Sequence, residues 1–261
     1  MDTSIATSWQ WGYVAISYGM AFIGALAALS AARRIRRRDG GISVGNTAAA
    51  GMALGGIAVW SMHFVGMLAL QMDVGVSYAM PETLASLLAG IIGSGLALAF
   101  VAQAPDRLPR VVFAGVLLGM GVMIVHYLGM LGMRIGGYIQ WDYGIVALSG
   151  LIGAVAATAA LWLAFHTRGL LLRSAAGLAM ATAVCAFHYT GMYAADYVCT
   201  TPDRLAQPQG FAYVSAAALP NTVVLCAMLM ALLITLYLLY QAATQGPEFL
   251  EVEVSAPGFR A

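Results

Sequence analysis

The sequence predicts an all-α integral membrane protein of seven transmembrane helices, built from three two-helix repeats in a pseudo-threefold arrangement plus one extra helix. Three observations predict it. First, 61% of the 261 residues are hydrophobic and only 9% charged, against roughly 25% charged in a soluble domain, and the mean hydropathy is +0.84. Such a chain cannot cover a water-facing surface. Second, seven runs reach the roughly 20 mostly apolar residues that a crossing helix needs: 10–32, 45–70, 83–102, 110–133, 143–166, 172–195 and 216–240. Third, a pentapeptide, His-aromatic-x-Gly-Met, occurs at 63–67, 126–130 and 188–192. A period of that size repeats a supersecondary unit.

In chain order, residues 1–10 carry no basic stretch and no small-residue cleavage site, so they are not expected to be a cleaved signal peptide. Arg33, Arg34, Arg36, Arg37 and Arg38 follow the first span, Arg107 and Arg110 the third, Arg168 and Arg173 the fifth. The opposite connections hold only Arg134 and Arg204. Arginine collects on the cytoplasmic side, which puts the N-terminus outside and, after seven crossings, the C-terminus in the cytoplasm. Asp2, Asp73, Glu82, Asp142, Asp196 and Asp203 gather on the outer side and would favour cations there. Residues 1–241 form the membrane domain. Residues 242–261, with Pro247, Pro257 and three Glu, read as a short, disordered cytoplasmic tail too small for a catalytic or DNA-binding domain. A net charge of +1 offers no field for nucleic acid. Cys185 and Cys226 lie in apolar runs as packing residues and Cys199 in a polar loop, so no disulfide framework is expected.

Each pentapeptide lies in an even-numbered span, running from inside to outside. Each His stands about seven residues before the outer end, roughly 10 Å below the boundary. His and Met at i and i+4 share a helical face, and the fourth span extends that stripe from Met123 through His126 and Met130 to Met133. Gly at +3 leaves room for a ligand or a close helix. One His in an apolar helix is ordinarily a hydrogen-bonding residue. Three at one depth point to a shared site, because ionisable groups inside a membrane are costly. The candidate metal ligands are His63, His126 and His188 with Met67, Met130, Met192 and Met123; His166 reads as interfacial and separate. Imidazole suits Zn, Cu, Fe and Ni, and thioether selects Cu(I). Copper, as one or more ions, is therefore expected; zinc on the three His and haem between two of them are the lesser alternatives.

From about residue 9 to residue 240 the chain resembles the MHYT family of bacterial membrane sensor domains, named for a Met-His-Tyr-Thr motif. The copies here are Met62-His63-Phe64-Val65, Val125-His126-Tyr127-Leu128 and Phe187-His188-Tyr189-Thr190. None is the complete motif, but His and the following Gly-Met are intact in all three. The resemblance implies an inner-membrane protein with copper near the periplasmic side that senses a diatomic gas (oxygen, carbon monoxide or nitric oxide). It also implies signalling to a cytoplasmic output domain, if this is the sensor part of a longer chain, or to a separate cytoplasmic partner, if it stands alone. The residues themselves leave two other functions open: a copper- or zinc-dependent membrane metalloenzyme at the same three His, and copper transport or delivery. Both rank below the sensor: the enzyme second, since no Asp or Glu is embedded as a general base, and transport third, since the ligands stop at one depth.

Overall fold

A computed structural model describes residues 3–37 and 39–245. Among them, seven helices are long and apolar enough to cross a membrane: α1 (Trp11–Ala32), α2 (Val44–Ala69), α3 (Met80–Ala102), α4 (Leu108–Gly132), α5 (Tyr143–His166), α6 (Leu170–Tyr193) and α7 (Leu219–Gln245). Their ends follow from local chemistry. Ser43 caps α2 through the Asn46 amide, and Asp142 caps α5 through the amides of Gly144 and Ile145 at 2.8 and 3.1 Å, satisfying donors a helix start leaves free. Pro81 and Pro109 occupy the first turns of α3 and α4, where the missing N–H costs nothing. Gly169 turns the chain from α5 into α6 at φ 79°.

The helices pack α1–α2–α3–α4–α5–α6 and back to α1 in a closed ring. The last helix, α7, lies outside it against the middle of α2. Every residue of α2 from 53 to 67 is buried. On the outer faces, Leu84, Leu88, Ile92 and Leu96 of α3 and a band of Leu, Val and Met on α7 are exposed. Apolar bands of that extent belong in lipid rather than water, and the protein is an integral membrane protein. α2 approaches α3 backbone to backbone: a Cβ on Gly55 would overlap the Gly90 carbonyl, and one on Gly51 would meet that of Ile91. Small residues permit such crossings in membranes. Between Met52 and Ser61 the helix is π-helical, a rare form that often marks functional sites, and it ends two residues before His63.

The all-α expectation needs a correction at one end. Among the described residues, eight short strands, β1 (Thr3–Ser4), β2 (Thr7–Trp9), β3 (Leu70–Met72), β4 (Val76–Ala79), β5 (Met133–Ile135), β6 (Gly137–Trp141), β7 (Ala195–Cys199) and β8 (Tyr213–Ser215), form three antiparallel sheets ordered β1-β7-β6, β2-β3 and β5-β4-β8. They tie the N-terminal segment and the α2–α3, α4–α5 and α6–α7 connections into one cap. Glu82 pairs with Arg134, and Arg204 with Asp73 at 3.3 Å. Tyr78 of β4 and Tyr197 of β7 are buried on the inner face of the cap, and desolvation pushes both phenols above the ordinary tyrosine range. The opposite end carries Arg33, Arg34, Arg36, Arg37, Arg107, Arg110, Arg168 and Arg173. His166 belongs to that end, stacked on Trp162 and 3.5 Å from Asp106. α7 runs on to Gln245, past the expected start of the tail at 242; residues 246–261 lie outside the described residues.

Candidate metal centre

The three motifs stand on alternate helices of the ring, α2, α4 and α6, so all three can turn a side chain to its middle. Their imidazoles meet there. His63, His126 and His188 are 1–2% exposed, with ring centroids 4.9 to 5.2 Å apart and planes nearly perpendicular. The Nδ1 atoms converge: 3.1 Å from His63 to His188, 3.1 Å from His126 to His63 and 3.3 Å from His188 to His126. Among the described residues no carboxylate or thiol joins this group.

Hydrogen bonds cannot satisfy this triangle. A neutral imidazole nitrogen either donates or accepts. With no proton on the three Nδ1 atoms, three lone pairs face one another. With one proton, the two acceptors still face each other; with two, the donors do. A cation at the centre engages all three lone pairs at once. The centre of a triangle with these edges lies about 1.8 Å from each nitrogen, against roughly 2.0–2.1 Å for imidazole on a metal. A shift of a few tenths of an ångström would seat an ion. The three residues fit a metal.

The far edge of each ring is held in the same cyclic sense. A Cβ on Gly129 would clash with His63 Nε2, one on Gly191 with His126 Nε2, and one on Gly66 with His188 Nε2. Each glycine is the +3 residue of another motif, so each motif shapes the seat of its neighbour's imidazole. All three Nε2 atoms are buried without a hydrogen-bond partner of ordinary geometry.

The structure separates the candidate methionines. Met67, Met130 and Met192 are 0–3% exposed and belong to the apolar cluster under the strand cap, with Trp60, Phe64, Tyr78 and Tyr197. Met123 instead rests its sulfur against Gly150 of α5. The residues one turn before each His were not foreseen. Val59, Val122 and Val184 line the triad from the arginine side with Met62, Val125 and Phe187. They recur at the His spacing, so the repeat carried that signal.

The aromatic residue after each His braces it against the next helix. Tyr127 shares a hydrogen bond with Ser149 of α5 at 2.7 Å, and Tyr189 with Ser17 of α1 at 2.8 Å. The third position is Phe64, and there Trp60 donates its indole N–H to Thr83 O at 2.9 Å and Ser86 Oγ at 3.1 Å. Each of the three also meets a cap or pre-α1 aromatic: Phe64 meets Tyr78, Tyr127 meets Trp141 and Tyr189 meets Trp9. Because Phe64 serves without a hydroxyl, Tyr127→Phe is expected to cost about 1 kcal/mol of stability and leave metal stoichiometry unchanged. Thermal unfolding in detergent and elemental analysis check the two halves; loss of metal would give the hydroxyl a larger part.

Residues 56–114 and 119–177 each match the family model "MHYT: Bacterial signalling protein N terminal repeat". The chain contains MHYT repeats. The matches include His63 and His126, and His188 lies beyond them. The chain is also similar to the bifunctional diguanylate cyclase/cyclic di-GMP phosphodiesterase MucR of Pseudomonas aeruginosa, 35% identical over 74% of this chain and 29% of that protein. It resembles the cyclic di-GMP phosphodiesterase NbdA of the same organism, 35% identical over 53% of this chain and 18% of NbdA. The signaling protein YkoW of Bacillus subtilis is 29% identical over 56% of this chain and 19% of YkoW. This chain thus spans less than a third of these curated relatives. No solved structure matches it. MHYT repeats are shared with bacterial membrane signalling proteins, and this one has a buried three-His cluster able to hold a metal ion.

Proposed function

We propose that this domain is a copper-binding sensory module of the bacterial inner membrane, with its metal site toward the periplasm and its arginine-rich end in the cytoplasm. The convergence of three Nδ1 atoms on one point, where hydrogen bonding cannot satisfy them, carries the reading. His63, His126 and His188 hold the ion. Met67, Met130 and Met192 are the thioethers on the cap side that favour Cu(I) over harder ions, and Met123, turned to Gly150, is the least suited of the four. Bound copper supplies a redox-active centre able to respond to a diatomic gas or to redox state.

The protein's part is to hold three neutral imidazoles in fixed orientation, exclude water and link the site to the helices. The cyclic contacts between each His and the next motif's Gly support a pseudo-threefold arrangement, with α1 beside α6 taking the role that α3 and α5 play for α2 and α4. A change at the centre bears on α2, α4 and α6 together, and those helices begin at the arginine-rich end. The signal would pass there to a cyclic-di-GMP enzyme or another cytoplasmic partner, as the names of the relatives suggest. The test is elemental analysis of protein purified without chelators. Copper near one equivalent or above is expected. Zinc in its place would overturn copper, and metal-free protein that takes up none would overturn the centre.

A further inference from the structure

Directly on the arginine side of the triad lies a second space, walled by α2, α3, α4, α5 and α6. Its volume is about 30 Å³, measured as room for the centre of a water-sized molecule. A single water needs roughly 10–15 Å³ on that measure, and it also needs two to four polar partners. The lining offers the hydroxyl of Ser94, a weakly accepting thioether from Met180, and otherwise alkyl groups and one aromatic ring. Cavities of this kind stay dry and take up apolar guests such as xenon.

Four residues, Val59, Val122, Val184 and Phe187, line both this cavity and the His triad. The valines stand four residues before the three histidines, one turn nearer the arginine end on the same helical faces. Between them and the imidazoles there is no room for a water-sized molecule. On its other side the cavity is bounded by Ala156 and Ala160 of α5 and Ala183 of α6, which are only partly buried. These small side chains face the seam between two helices whose outer surfaces lie in lipid.

We infer that this cavity is a docking site for one small, uncharged, apolar molecule that arrives sideways from the bilayer between α5 and α6. The three valines and Phe187 are the filter it crosses to reach the histidines. The inference rests on the proposed metal centre for its purpose and on the cavity alone for its existence. It commits the ligand to a class. Charged and strongly hydrated species are excluded by the lining, and the valine ring, which leaves no room for a water-sized molecule, opens only as its side chains shift and so favours the smallest guests. It also separates the ligand's route from that of the metal, whose His and Met donors lie on the cap side of the filter.

Two measurements test it. Crystals pressurised with xenon are expected to show an anomalous peak beside Val184 and Phe187, abolished by Ala160→Leu and by Ala183→Leu, both of which narrow the rim rather than the core. No peak there, or one unaffected by both variants, overturns the cavity site. In copper-loaded protein, carbon monoxide association is expected to slow at least tenfold in the rim variants and to quicken several-fold in Val184→Ala. Copper content should stay at the wild-type level in the two rim variants, which also reports that they fold, and the Val184→Ala rate is read per bound copper. Rates that do not move would overturn the route. Xenon binding without copper would refute the metal reading and leave the cavity standing; copper without xenon would do the reverse.

Discussion

Alanine in place of His126 is expected to remove metal binding, and the triple change of His63, His126 and His188 to alanine to leave none above background. Each imidazole supplies one of three converging nitrogens, and with one gone the remaining pair cannot enclose an ion. Loss of an outer partner of a metal ligand already costs about 10–100-fold in affinity, so loss of a ligand should exceed that. The second readout is thermal. An ion that binds only the folded state stabilises it by about 2.7 kcal/mol at a hundred times its dissociation constant, so adding metal should raise the wild-type unfolding temperature and leave the His126→Ala temperature where it was. A triple variant that retains stoichiometric metal would end the assignment.

Gly129→Ala is expected to lower metal affinity by about 10–100-fold, the range for groups that orient a ligand, and to cost about 1–3 kcal/mol of stability as overpacking. The new methyl group would clash with His63 Nε2. Since His63 is 2% exposed with Phe64 against its ring, it has little freedom to retreat. Gly66→Ala and Gly191→Ala should act alike on His188 and His126. Gly93→Ala is the control, since a methyl group there meets nothing within 4 Å, and it should leave affinity unchanged. Competition against a chelator of known affinity measures all four. Wild-type affinity in Gly129→Ala would show that the glycine does not set the ring.

The His triplet was legible because three signals agreed: the near-constant spacing, the arginine distribution and the cost of ionisable groups in lipid. The strand cap was not. Its strands have two to five residues, and their partners lie far off in sequence; Gly137 pairs with Cys199 and Ser4 with Val198. Such segments lack a local period long enough to register, and Arg134, Asp142 and the glycines among them look like ordinary breaks. Met123 shows the limit of helical arithmetic. Positions three and four before a histidine both fall near its face, but on opposite sides of it. In α4 the valine side turns to the triad and the methionine side to Gly150. The stripe alone could not choose between them.

The ring closes through α1 and α6, the first and sixth helices to be made. Contacts between segments so distant in sequence form late, because the intervening chain must first be brought together. Until α6 enters the bilayer, His63 and His126 have no third imidazole, and Tyr189 has neither Ser17 nor Trp9. The centre therefore records that the ring of six helices has closed. A chain stalled before its sixth span could place helices in the membrane, but it could not assemble the triad.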